Sequence, residues 1–86
     1  MNGEREAANI AKHGIDFTIA KKVFFDTKRK IFIDSKHSAE EPRCFCIGKV
    51  NNRIITVRFV YRNSLIRIFG AGYWRKGKVY YEKENG

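Results

Sequence analysis

The spacing of apolar positions along this chain changes character once, at Asp26. Before it, Ala7, Ile10 and Ala11 form one stripe among good helix formers, which predicts a helix over residues 4–13. Gly14 follows, a residue that tolerates the positive φ a helix end asks for. Asp16 is placed to cap a second helix over residues 17–25, in which Phe17, Ala20, Val23 and Phe24 recur on a single face while Lys21 and Lys22 turn to solvent. After Asp26 the period falls to two. Residues 30–34, 43–48, 53–62 and 65–69 read as strands, with a polar, acidic loop over residues 35–42 that holds His37. Asn51-Asn52 and Asn63-Ser64 stand where hairpin turns are needed, and Asn enters the left-handed region readily. Residues 73–85 fit a strand through Val79-Tyr80-Tyr81 or a closing helix, and a helix is the expectation.

Register assigns the faces. A two-residue turn at Asn63-Ser64 pairs Arg62 with Leu65 and Tyr61 with Ile66, and opposed residues share a face. One face then carries Ile55, Val57, Phe59, Tyr61, Ile66 and Ile68; the other carries Thr56, Arg58, Val60, Arg62, Leu65, Arg67 and Phe69. A three-residue turn would instead put Arg67 on the packed side, where an unpaired charge is too costly. Through Asn51-Asn52 the same rule places Cys44 and Cys46 on the packed face, with Phe45 and Lys49 opposite. The expected architecture is α+β: two N-terminal helices on an antiparallel sheet of about four strands, with a C-terminal helix or extended segment near the other face. The parts are a helical hairpin over residues 4–25, a sheet over 29–70 and a final segment over 73–85, all in one domain over residues 1–86.

Charge sharpens this picture. The chain carries 18 Lys and Arg against 9 Asp and Glu, a formal net charge of +9. Residues 1–42 contribute only +1, residues 43–86 contribute +8, and no acidic residue occurs from Arg43 to Tyr81. Such asymmetry points to a polyanionic partner, nucleic acid or an acidic protein segment. No apolar run approaches the ~20 residues of a membrane span, and no secretory h-region follows Met1, so a cytoplasmic protein is expected. Cys44 and Cys46, one residue apart, suit neither a disulfide nor a metal site and read as buried thiols.

The basic face has aromatic rings among its arginines. Guanidinium groups bind phosphates and rings stack on bases, so Lys12 and Arg62 are candidates for the RNA backbone and Tyr73 and Trp74 for its bases. Cleavage of RNA without metal needs a base for the 2′-hydroxyl, an acid for the leaving 5′-oxygen and cations for the phosphate. Arg58, Arg62, Arg67 and Arg75 could supply the cations, and Arg67 and Arg75 are the ones expected there, with Arg58 in support. The candidate proton-transfer groups are His13, His37, Tyr73, Tyr80, Tyr81 and Glu82; His13, at a helix end beside the sheet, is the proposed acid or base, with Tyr80 or Glu82 as alternatives. No metal or other cofactor is called for. The competing reading is a non-catalytic basic module that docks onto nucleic acid or an acidic partner.

The run Asn9-Ile10-Ala11-Lys12-His13-Gly14-Ile15-Asp16-Phe17, followed by Ala20, Val23, Phe24 and Asp26, resembles the N-terminal signature of the BrnT toxin family. Arg43, Ile47-Gly48, residues 54–57 and Arg67-Ile68-Phe69-Gly70-Ala71 resemble its strand pattern, so the likeness covers roughly residues 9–72. It implies a RelE-like α+β toxin that cleaves RNA and halts translation. It also implies neutralisation by a BrnA-type antitoxin, in a heterotetramer that binds operator DNA through the antitoxin. There are two departures. The family's short first strand has no room in Met1-Asn2-Gly3-Glu4, so an edge strand is expected to be missing, through truncation or a misassigned start. Its closing R-I-I-S-A-R reads Arg67-Ile68-Phe69-Gly70-Ala71-Gly72 here, so that a second arginine is replaced by Gly72. Either Arg75 takes over that contact or activity falls by about 100-fold, the worth of one transition-state contact.

Overall fold

A computed structural model describes residues 2–37 and 41–85. Three helices and four strands follow in the order α1 (Asn2–His13), α2 (Phe17–Lys21), β1 (Lys30–Ile33), β2 (Arg43–Val50), β3 (Arg53–Arg62), β4 (Leu65–Gly72) and α3 (Arg75–Asn85). Gly14 ends α1 at φ +70°, and its N–H returns to Ile10 O at 2.8 Å. The Asp16 carboxylate caps α2 by accepting the Ile19 N–H at 2.8 Å. The second predicted helix keeps α-geometry only to Lys21. Lys22–Phe25 tighten into a 3-10 turn that lays Val23 against β2. Within the expected acidic loop, Ser35–His37 form a further 3-10 turn, whereas residues 38–40 and the His37 side chain lie outside what is described.

The four strands form one antiparallel sheet in sequence order. Both hairpins close through two residues in the left-handed region, Asn51 and Asn52 (φ 51° and 65°) and Asn63 and Ser64 (φ 53° and 65°). Such turns match the twist of the strands they join. The register is the expected one, with Arg62 opposite Leu65, Tyr61 opposite Ile66, Cys46 opposite Val57 and Phe45 opposite Arg58. One irregularity interrupts it. Phe59 pairs with Ile68 but Arg58 with Gly70, so Phe69 is an extra residue in β4. Beyond this bulge the alternation of β4 is reset, which brings Ala71 into the core.

The inner face packs Cys44, Cys46, Val57, Phe59, Ile68 and Ala71 beneath Ile15, Phe17, Ala20 and Val23. Cover is incomplete: Tyr61 and Ile66, expected on the packed face, are 54% and 42% exposed, because α2 and its 3-10 extension end short of them. α1 lies beside the edge strand β4 rather than over the sheet. α3 crosses the outer face at the end holding Ile47 and Thr56, where Gly77 passes so near Thr56 that a Cβ would stand 2.0 Å from its hydroxyl. Tyr81 is buried there and donates to Asp26 Oδ2. No helix among the described residues is long and apolar enough to cross a membrane.

Candidate nucleic-acid interface

The C-terminus of α1 meets the outer face of the sheet at a cleft of about 200 Å³. Arg5, Ala8, Asn9, Lys12 and His13 supply one wall. They stand at i, i+3, i+4, i+7 and i+8, a single helical face. Arg58, Phe69, Gly70 and Trp74 supply the other. His13 presents its ring edge-on to Trp74, with centroids 5.3 Å apart at 74°. The Arg58 guanidinium carbon lies 5.2 Å from the centre of the Phe69 ring and 5.6 Å from that of Trp74. Held against two rings, the planar guanidinium keeps its N–H edges for an anion.

Two glycines make room for this arrangement. A Cβ on Gly70 would approach Arg58 Nε to 3.3 Å, and one on Gly72 would come within 2.8 Å of the Trp74 indole. The side-chain-free outer positions of Gly70 and Gly72 are therefore the bed on which Arg58 and Trp74 rest. Phe69 lies on the same face by alternation from Ile68, the bulge bringing Gly70 to that face beside it, and it also receives the Arg43 guanidinium at 5.2 Å.

The remaining candidates divide by place. Arg62 and Arg67 line an adjoining cleft with Arg5, Arg43 and Phe69. Arg62 is held by Glu41, with Nη2 donating to Oε1 at 2.6 Å and Nε to Oε2 at 3.4 Å. Tyr73 lies under Arg53 at 5.4 Å, in a depression with Lys49, Lys78 and Glu82 near the Asn51-Asn52 turn. Tyr80 packs on Phe32 at 5.4 Å, over β1. Arg75 is exposed at the first position of α3 and lines neither of the two basic clefts. The structure thus joins His13, Lys12, Arg58 and Trp74, sets Arg62 and Arg67 next to them, and leaves Tyr73, Arg75, Tyr80 and Glu82 elsewhere.

Arg5, Arg43 and Glu41 line these clefts without having been named as candidate site residues from the sequence. Helical spacing from Lys12 and His13 back to Arg5 carried the signal for the first, and strand alternation from Phe45 carried it for Arg43. Nothing local marked Glu41, which reaches Arg62 across 21 positions.

Both cysteines are free and buried; burial raises the Cys44 thiol and pushes Cys46 up to about 12, which disfavours the thiolate a nucleophile needs. Among the described residues no three of His, Cys, Asp and Glu gather as metal ligands. The arrangement sets an imidazole and an arginine against the same indole, in a cleft that Arg5 and Lys12 also line.

Comparison with curated proteins gives no match. A family model described as the ribonuclease toxin BrnT of type II toxin–antitoxin systems matches residues 2–77, which includes every residue of the His13–Arg58–Trp74 cleft. With most of its length and the whole of this cleft inside that match, the chain belongs to the BrnT family of ribonuclease toxins.

Proposed function

We propose that this chain is a RelE-like endoribonuclease toxin that cleaves RNA without a metal ion and so arrests translation in the cytoplasm. In the same reading it is neutralised by a BrnA-type antitoxin, in a heterotetramer that binds operator DNA through the antitoxin. The observation that carries the proposal is the convergence of His13, Trp74 and Arg58 on one cleft.

In this reading the scissile phosphate sits on the Arg58 guanidinium and a flanking base stacks against Trp74. His13 takes the proton of the adjacent 2′-hydroxyl. The 2′-oxygen attacks phosphorus, and the bond to the 5′-oxygen breaks. The departing 5′-oxygen acquires a proton from water at the open mouth of the cleft, leaving a 2′,3′-cyclic phosphate and a 5′-hydroxyl. Arg58 is matched to the charge that grows on the phosphate oxygens during attack. Lys12 and Arg5 hold a neighbouring phosphate, and Arg62 and Arg67 extend the track along β3 and β4. Tyr73, Arg75, Tyr80 and Glu82 stand outside the reacting cleft and take no chemical step.

The test is incubation of purified protein with end-labelled single-stranded RNA in EDTA. Fragments ending in cyclic phosphate, absent with Arg58→Ala, are expected. RNA left whole by the folded wild-type protein would favour a docking module instead. In cells, expression alone should stop growth, and co-expression with a BrnA-type antitoxin should restore it.

A further inference from the structure

The second basic cleft measures about 300 Å³ and is walled by Arg5, Arg43, Arg62 and Arg67 over Val60 and Phe69. Among its described lining residues one is acidic, Glu41. Both carboxylate oxygens of Glu41 face one edge of Arg62, the two-point contact that a guanidinium makes equally with two phosphate oxygens. The Arg62 hydrogen bond and the charges of Arg62, Arg43 and Arg67 hold the Glu41 carboxyl below its usual range, so it is an anion at neutral pH. The pair is open to water, with side-chain exposures of 51% for Arg62 and 36% for Glu41. An ion pair so exposed contributes little to stability and exchanges readily for another anion.

We propose that this cleft is a phosphate subsite for single-stranded RNA, which Glu41 fills in the free protein as an internal substitute for the phosphate. The proposal rests on the RNA-cleaving reading above. Both clefts are lined by Arg5 and Phe69, so they adjoin. A strand whose scissile phosphate lies at Arg58 carries a neighbouring phosphate to Arg62 and Arg67, and Glu41 swings out. Phe69, between the two, offers a ring at the junction. Glu41 is thereby a gate on affinity: it screens the cleft against stray anions and yields to a chain that binds at several points together.

The experiment measures binding of a fluorescent 2′-O-methyl oligoribonucleotide of about eight nucleotides, the span of one basic groove. This probe has no free 2′-hydroxyl and is not cut. Glu41→Gln should tighten binding by about tenfold at low salt, the worth of one added phosphate contact. Glu84→Gln makes the same charge change on an exposed position of α3 and should alter binding by less than about twofold. In an Arg62→Gln background the gain from Glu41→Gln should vanish. Each variant is checked to unfold at the wild-type midpoint. Unchanged or weaker binding by Glu41→Gln would mean that Glu41 only braces Arg62, and the proposal falls. It also falls if Glu84→Gln gives the same gain, or if the gain survives without Arg62. The nuclease reading is judged separately, on ordinary RNA. A Glu41→Gln gain without cleavage keeps the subsite and removes the nuclease; cleavage without that gain does the reverse.

Discussion

Asn9 Oδ1 accepts the Ala71 N–H at 2.9 Å, joining α1 to the edge strand β4 across 62 positions of sequence. The same amide donates from Nδ2 to Ile15 O at 2.9 Å, and the residue is buried. One side chain therefore occupies an outward N–H of the sheet edge and also fixes the turn between α1 and α2. His13 stands one helical turn beyond Asn9, and Ala71 pairs with Val57, next to Arg58. The hydrogen bond thus sets the distance between the proposed base and its arginine.

Removing that amide tests the link. Asn9→Ala leaves the Ala71 N–H and the Ile15 carbonyl unpaired in a buried place, at about 1–3 kcal/mol for each group. Urea unfolding should show a loss of about 2–4 kcal/mol, a large share of the stability of so small a chain. RNA cleavage should also fall under conditions where the variant remains folded, since α1 no longer holds His13 in place. A variant as stable as wild type would show that water replaces the amide without cost.

The Tyr81–Asp26 contact gives α3 a pH-dependent fastening. Burial pushes the Asp26 carboxyl up, but hydrogen bonds from the Tyr81 hydroxyl and the Lys49 and Lys28 N–H groups, with the Lys49 charge, outweigh it and hold the pKa below 3.8. A depressed carboxyl contributes stability that is present above its unfolded pKa and lost as pH falls through the folded one. Asp26→Asn should therefore cost about 1–2 kcal/mol at pH 6–7, and the gap to wild type should close on acidification below about pH 4. Burial first, then Asp26, pushes the Tyr81 phenol up to about 12. Its contribution, shared with the same hydrogen bond, is present below the unfolded value of 10 and is lost as pH rises through about 12. Denaturant midpoints of wild type, Asp26→Asn and Tyr81→Phe across pH measure both limbs, and parallel curves would contradict the assignment.

Much of this fold was legible because its turns and alternation are local. Asn51-Asn52 and Asn63-Ser64 fixed both hairpins, and from them followed the inward cysteines and the outward Arg58, Arg62 and Arg67. What escaped depends on distant partners. The Phe69 bulge arises where β4 must both pair with β3 and offer Ala71 to Asn9, which no short window of sequence reveals. Tyr80 and Glu82 looked suitable by residue type, yet α3 is anchored through Gly77 and Tyr81, which turns them toward β1 and the Asn51-Asn52 end. Alternation alone also put Tyr61 and Ile66 under cover, because it assigns a face and says nothing of how far the helices extend.

Gly72 takes on a specific meaning once Trp74 is seen lying over it. Restoring an arginine there brings a Cβ to within 2.8 Å of the indole, so the ring must leave its place. Gly72→Arg should then weaken cleavage by about tenfold or more by loosening Arg58, despite the added charge. Trp74 is the only tryptophan, so its fluorescence reports the displacement directly. A red-shifted emission maximum is expected. Unchanged emission with raised activity would mean that the backbone yields and that the glycine is a deficit after all.

Arg58 and His13 must be separated by what each does to the reaction. Arg58→Lys keeps the charge but loses the planar fork and its two ring contacts, so the phosphate should still bind while the transition state loses its fitted partner. Single-turnover cleavage should slow by about 100-fold with a much smaller change in RNA affinity. His13→Gln should act on the pH profile instead. Histidine is the residue type whose charge changes between about pH 5 and 8, and a histidine base yields a rate that climbs across that interval. Wild type and Arg58→Lys should share the climb, displaced only in height, whereas His13→Gln should be slow and flat. If His13→Gln retained the climb, another group would be the base and the imidazole beside Trp74 would serve only to hold the ring. If Arg58→Lys cleaved at the wild-type rate, the rings would be binding a charge rather than presenting a geometry, and the chemistry would have to be sought in the Arg62–Arg67 cleft.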